Sequence, residues 1–438
     1  MKNADRTMTL VLSCLASTMA SGAWAQDWPQ WRGPDRDGKA SGFTAPKTWP
    51  KELTQKWKVT VGDGVATPAL VGDKLCVFSR QEGNEITRCL DALTGKELWQ
   101  EKYESAGATG PAQGFSGPRS SPTVANGKVV TLGVRGMLSC LDAANGKKLW
   151  RKDEFPGAYP RFHPSSSPII ADGLCIAQLG GPNDGVIAAY DLVTGDEKWK
   201  WTGDSPAYAS PVLMTVGGAK LIVAETERRI IVINAADAKL VWETPFAVSG
   251  MGGYNAATPI VDGQTIIYAG SGRGAKAVKI EKGGDGFTGK ELWSNTEKSV
   301  QFNTPVLKNG LLYGLTGGNE FFCINTKDGQ TAWSAPAAPS SASMAGGPAG
   351  AGGPGGPGGR GGRGGGGRGG YGSIVDAGSV MLALTPSSEL IAFQPSDKAY
   401  TELARIKVAD TPTHAYPVVS GNRLFIKDKD SVTLWTVD

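Results

Sequence analysis

One eleven-residue word constrains this chain more than any other feature. Residues 140–150 read CLDAANGKKLW, and close copies stand at 89–99 (CLDALTGKELW) and 189–199 (AYDLVTGDEKW). Looser copies occupy 232–242 (VINAADAKLVW) and 323–333 (CINTKDGQTAW), and FTGKELW at 287–293 keeps the second half. A word that returns about every 45 residues marks a repeat architecture, in which each unit buries its apolar face against its neighbours. Inside the word, Leu141 alternates with small or polar residues, as a half-buried strand requires. Asn145-Gly146, or Thr-Gly in the sister copies, predicts a two-residue hairpin with positive φ. The aspartates Asp91, Asp142 and Asp191 are placed to accept hydrogen bonds from turn amides. The closing tryptophan supplies a large apolar plate. All of these roles are structural.

The pattern A-x-D-x-x-T-G-x-x-x-W resembles the tryptophan-docking motif of quinoprotein-type β-propellers. That family holds both PQQ-dependent alcohol dehydrogenases and non-enzymatic assembly lipoproteins of the BamB type. The resemblance covers Leu53 to Asp438 and implies an all-β, eight-bladed propeller of four-stranded blades. Trp57, Trp99, Trp150, Trp199, Trp242, Trp293 and Trp333 take the docking positions. The motif is specific for fold and silent on activity, because one propeller hosts many functions. The WPQWRGP stretch near the N-terminus is similar to the opening of exported PQQ-repeat proteins in planctomycete-type bacteria. It reads as an extended segment whose Trp28 and Trp31 plug the ring from outside.

Ser/Thr/Tyr-Pro steps open seven blades, at Pro68, Pro122, Pro168, Pro211, Pro259, Pro305 and Pro417. Proline suits the first position of a strand, where no ladder donor is needed. A further blade begins near Gly372 without that proline and without a docking tryptophan, and Tyr400 to Val408 is its outer strand. Leu53 to Val61 has no partner strands before it, and the C-terminus offers three strands with no fourth. Pairing them closes the ring and removes an exposed edge. The expected domains are thus a signal peptide at 1–25, an extension at 26–52 and the propeller at 53–438, with a disordered glycine/arginine-rich insertion at 337–371.

Lys2 and Arg6 precede the apolar run Met8 to Ala20, and Ala23-Trp24-Ala25 is a small-x-small cleavage site. The run is too short to span a bilayer. An exported protein, periplasmic or extracellular, follows, with only peripheral membrane association; lipidation at Cys14 would need a better lipobox. The net charge of +4 is carried by the signal (+1) and the glycine-rich stretch (+3), so the propeller itself is neutral. That argues against a nucleic-acid partner, although the R-G-G steps resemble RNA-binding tails. Cys76 and Cys89 lie on opposite arms of one predicted hairpin, where an oxidising compartment would allow a bridge.

No catalytic residue is carried over from the dehydrogenases. Their resemblance implies PQQ, calcium and a disulfide between adjacent cysteines, and this chain has no adjacent cysteine pair and no calcium loop. No zinc spacing exists. The candidate site is the channel mouth. Residues preceding the innermost strands place Arg119, His163, Tyr208, Tyr254, Asn255, Phe302, Asn303 and His414 there, and second-to-third-strand loops add Asp184, Arg273 and Glu320. A rigid concave funnel of this kind suits a peptide or small molecule. The expected function is an exported, monomeric, non-catalytic binding or scaffold propeller in envelope protein assembly, without cofactor or metal. The alternatives are a PQQ-dependent oxidoreductase using calcium, and a hydrolase or lyase built on the mouth residues.

Overall fold

The computed structural model describes residues 26–248, 254–284, 286–338 and 371–438. Among them the strands form eight antiparallel four-stranded sheets. The expected signal peptide and residues 339–370 of the expected insertion lie outside the described residues. Blade one runs from a short inner strand outward: Ala69–Val71, Lys74–Gln81, Asn84–Asp91 and Glu97–Glu104. The same order repeats through blade seven, Ser373–Asp376, Met381–Leu384, Glu389–Phe393 and Glu402–Lys407. Middle strands are buried on both faces, and outer strands alternate, so the apolar core lies between adjacent blades.

Blade eight is shared between the two ends of the chain. Val418–Ser420, Arg423–Lys427 and Ser431–Thr436 receive Thr54–Thr60 as outer strand. The register sets Trp57 against Leu434 and Val59 against Val432. The pairing leaves no blade with three strands, as the sequence predicts.

The docking tryptophans reach forward into the next blade. Trp150 packs on the turn glycine of blade three; a Cβ on Gly195 would lie 2.8 Å from its ring. Its indole N–H donates to the Leu192 carbonyl at 3.1 Å. Trp57, Trp99, Trp199 and Trp293 donate in the same way to Ala92, Ala143, Ala235 and Thr326. Blade seven carries Ala404 in the tryptophan slot, opposite Ala392 as Trp150 stands opposite Cys140. Its outer pocket is filled by Trp333 of blade six, which packs with Tyr400 and donates to the Ser396 carbonyl at 2.8 Å.

The word's turn differs from its sequence reading. Asp142 N–H bonds the Lys147 carbonyl and Gly146 N–H the Asp142 carbonyl, so the loop spans four residues, 143–146. Gly146 is left-handed, and Asn145 is not. A bulge at Cys140/Leu141 leaves Leu149 unpaired in the outer strand and shifts the register by one residue ahead of the loop. The aspartate acts as expected: Asp91 Oδ1 accepts from Leu93 N, Thr94 N and Thr94 Oγ1. Cys76 and Cys89 face each other in register as buried free thiols.

A ring of hydrogen bonds runs round the channel at the Ser/Thr-Pro steps. The amide of Thr67 donates to Ser121 Oγ, Ser121 to Ser167 Oγ, Ser167 to Ser210 Oγ, Ser210 to Thr258 Oγ1 and Thr258 to Thr304 Oγ1, each at 2.9–3.0 Å. Tyr416 N donates to Thr67 Oγ1 at 2.9 Å and carries the ring across the closure.

Trp150 is buried and bonded, whereas Trp242 is half-buried. Trp150→Ala should cost about 3–5 kcal/mol in chemical denaturation, the usual loss for a buried aromatic. Trp242→Ala should cost clearly less. Equal losses would show that depth of burial does not set the contribution.

Candidate functional site

The connections between successive blades emerge on one face, where a girdle of rings surrounds the channel mouth. Seven of the eight connections contribute to it, through Phe115, Phe162, Tyr208, Tyr254, Phe302, Tyr371 and His414, all half-buried; the eighth, residues 61–68, has no aromatic residue. Their contacts are continuous. Phe115 meets His414 edge-on at 4.8 Å, and His414 meets Tyr371 at 5.0 Å. Tyr371 stacks on Phe302 at 4.2 Å, and Phe302 lies parallel to Tyr254 at 6.0 Å. Phe162 then touches both Tyr254, at 4.6 Å, and Tyr208, at 6.0 Å. Such edge-to-face and offset pairs add to the stabilisation from area burial alone. Tyr208, Tyr254, Phe302 and His414 belong to the sequence-predicted set. Phe115, Phe162 and Tyr371 do not: Phe115 and Phe162 stand further ahead of their strand-opening prolines, and the blade after Tyr371 has no such proline to count from.

The polar members of the predicted set have a different place. Arg119 donates to the carbonyls of Ala112 and Phe115, both at 2.8 Å, and of Gly117 at 3.1 Å. Asn255 donates to the carbonyls of Thr226, Glu227 and Phe246. Arg273 bonds Asn255 Oδ1 at 2.7 Å and the Phe246 carbonyl, and lies 3.9 Å from the Phe246 ring centroid. Asn303 joins Gly372 O to Leu315 N. His163 is buried; its Nδ1 bonds the Val134 carbonyl at 2.9 Å and its Nε2 accepts from Thr109 N at 3.0 Å. That pairing sets an Nδ1–H tautomer, and burial lowers its pKa, so the ring is neutral. These side chains hold connection backbone in place. Glu320 is exposed beside Lys298, 3.6 Å away. Asp184 lines a separate open cleft of about 660 Å³ with Phe155, Thr202 and Arg228.

Two titratable groups in this region, His414 and Glu225, hold buried polar atoms with no hydrogen-bond partner among the described residues. His414 Nδ1 is buried without a hydrogen bond, and burial pushes the imidazole down to about 4. Both carboxyl oxygens of Glu225 are also buried without a bond, and burial drives its pKa well up. Glu225 closes the second strand of blade four, in the slot where Gln178 of blade three bonds Ala207 N and Ala209 O. An isolated glutamate in a strand gave no signal of this in the sequence.

The opposite end of the channel is filled by residues 26–43. Trp28 is fully buried and bridges to Leu70. Trp31 packs edge-on against Tyr416. The sequence reading assigned the plug to these tryptophans alone. In the structure Arg32 and Arg36 also enter the channel, 0% and 5% exposed. The sequence reading gave neither arginine a role.

The family model described as outer membrane protein assembly factor BamB matches residues 82–335 and 284–356, more than half of the chain. The chain belongs to this BamB-like PQQ-repeat family. A BamB of Burkholderia pseudomallei is 22% identical over 297 residues, covering 64% of this chain and 69% of the relative. The quinohemoprotein alcohol dehydrogenase of Comamonas testosteroni is 29% identical over 157 residues, 34% of this chain and 22% of that enzyme. The crystal structure of BamB from Moraxella catarrhalis superposes with a TM-score of 0.59 at 15% identity, covering 88% of this chain and 97% of the other. At that identity the likeness speaks for the fold. No helix among the described residues is long and apolar enough to cross a membrane.

A planar, multiply anionic quinone needs free cationic or amide donors, and the predicted residues Arg119, Arg273, Asn255 and Asn303 spend side-chain donors on the protein's own acceptors. Among the described residues, the exposed Arg161, over the Phe162 ring, is the cation nearest the girdle that no such bond engages.

The two orphaned groups predict opposite pH effects. His414 titrates at about 4 when folded and near 6.5 when unfolded, so the unfolded chain binds more protons between those values. Its burial therefore subtracts stability as pH falls through that window. The melting temperature of His414→Phe should drop less than wild type between about pH 7 and about pH 5. Glu225 is raised, so its contribution falls as pH climbs above the ordinary carboxyl value. Glu225→Gln should gain stability at about pH 8 relative to about pH 4. Parallel pH profiles for variant and wild type would refute either assignment.

Proposed function

We propose that the protein is an exported, non-catalytic propeller that binds an envelope or secreted polypeptide at its aromatic mouth and serves as a scaffold in envelope protein assembly. The observation that carries this reading is the girdle itself. Seven half-buried rings lie in contact along the connection face, while Arg119, Asn255 and Asn303 beside them are spent on backbone carbonyls. Such a surface offers apolar area and ring edges with few fixed donors, which suits an apolar polypeptide segment better than a small anion. Tyr208 retains its proton, its pKa pushed up to about 12 by burial, so its hydroxyl is a donor for a partner carbonyl. Tyr208, Tyr254, Phe302 and His414 are the proposed contacts, and Arg119, His163, Asn255, Arg273 and Asn303 support them. The name of the matching family, an outer membrane assembly factor, agrees with a scaffold role. The signal-like N-terminus agrees with export.

The test is site-specific photo-crosslinking in intact cells. Probes at Tyr254 and Phe302 should yield discrete protein adducts, and a probe at the exposed outer-strand Leu98 should not. A companion Tyr254→Ser variant should lose the Phe302 adduct while keeping its melting temperature within a few degrees. Adducts at Leu98 alone would move the site off the mouth. Stoichiometric binding of added PQQ with calcium, followed by the quinone spectrum, would replace this reading with the oxidoreductase one.

A further inference from the structure

At the plugged end of the channel, two guanidinium groups are held without any carboxylate among their partners. Arg32 uses all five of its N–H donors. Nε bonds Arg36 O at 3.1 Å, Nη1 bonds Thr304 O at 2.7 Å and Tyr416 Oη at 3.0 Å, and Nη2 bonds Asp37 O at 3.0 Å and Pro305 O at 2.8 Å. Arg36 does the same. Nε bonds Gln30 Oε1 at 2.8 Å, Nη1 bonds Ser167 O at 3.0 Å and Pro211 O at 3.2 Å, and Nη2 bonds Thr123 Oγ1 at 3.4 Å and Pro168 O.

Three features make this a built site. Arg36 O, Asp37 O and Gln30 Oε1 belong to the plug itself. The other acceptors come from five blades, and apart from the Tyr416 and Thr123 hydroxyls they are backbone carbonyls at the Ser/Thr-Pro steps, which the ring geometry presents regardless of side chain. A buried charge is costly unless fully hydrogen-bonded, and here every donor is met. Arg32 and Arg36 also both adopt left-handed backbone, φ 64° and 57°, which non-glycine residues rarely do. The segment accepts that strain where it aims the two guanidiniums inward.

We infer that this end of the channel is a guanidinium-binding site, a converging set of carbonyl and hydroxyl acceptors whose resident ligand is the chain's own N-terminal segment. Its chemical selectivity follows from donor count and shape. A planar guanidinium presents five donors in a fixed fork, whereas an ammonium has three and no plane. The ligand class is an arginine side chain on a tight turn, or a free alkylguanidinium when that side chain is removed. This site is independent of the aromatic mouth and stands or falls separately.

The experiment uses the full chain with Arg36→Ala and methylguanidinium at low millimolar concentration as probe. Arg36→Ala should melt several degrees below wild type. Methylguanidinium should restore most of that loss saturably, and should leave wild type, whose site is filled, unchanged. Methylammonium at the same concentration and ionic strength should restore nothing. Absence of recovery, or equal recovery with methylammonium, overturns the proposal. Should Arg36→Ala fail to fold, Arg36→Lys decides. A site that reads the fork leaves the lysine variant well below wild type, and a wild-type melting temperature for Arg36→Lys overturns the inference.

Discussion

The structure depends on one repeated hydrogen bond, from the backbone amide before each strand-opening proline to the hydroxyl of the same slot one blade further on. It runs from Tyr416 through Thr67, Ser121, Ser167, Ser210 and Thr258 to Thr304. A hydroxyl can accept from one neighbour while its own residue's amide donates to the next. Each link therefore fixes the spacing of two blades at the axis, where the ring has least room for error. Proline adds its share by limiting φ and removing a competing donor. The tryptophans perform the same task at the outer radius. Blade-to-blade geometry is thus held at two radii, by polar bonds inside and by aromatic burial outside.

The link stops at Thr304. Blade seven opens with Ser373, which lacks the proline and whose hydroxyl is buried without a partner. Its inner strand is tied in by other means: Lys39 bridges to Asp376, and Lys308 of blade six pairs with the Asp376 carboxylate at 2.8 Å. The connection that departs from the rule is also the one that carries the glycine-rich insertion. A segment of the N-terminal plug stands in where the hydroxyl ring is interrupted.

Much of the fold was legible in the sequence because it is periodic. The word at 140–150 repeats with its tryptophan and its aspartate, so blade number, blade sharing and docking residues all follow from counting. The turn length did not follow, since a bulge at Cys140/Leu141 shifts the register ahead of the loop without changing the letters. The proposed site was legible only in part. Position along the chain placed Tyr208, Tyr254, Phe302 and His414 at the mouth, but it could not separate them from Asn255 or Arg119, whose donors turn back onto the backbone. That distinction rests on connection geometry, which has no period. Arg32 and Arg36 escaped for a related reason. Their partners are main-chain carbonyls, and every residue has one, so nothing in the letters marks the acceptors.

The plug and the closing strand occupy consecutive stretches of the chain, and both find their partners at the far end of it. Arg32 bonds Tyr416, 384 positions away, and Thr54–Thr60 completes a sheet made by Ser431–Thr436. During synthesis, Arg32 and Thr54–Thr60 emerge long before their partners at 304–305, 416 and 431–436 exist. Contacts of such sequence separation form late and slowly. Until then one blade stands open with an unpaired edge, and the Arg32 guanidinium remains in water. The ring is therefore assembled as a clasp, with the earliest segment waiting for the last.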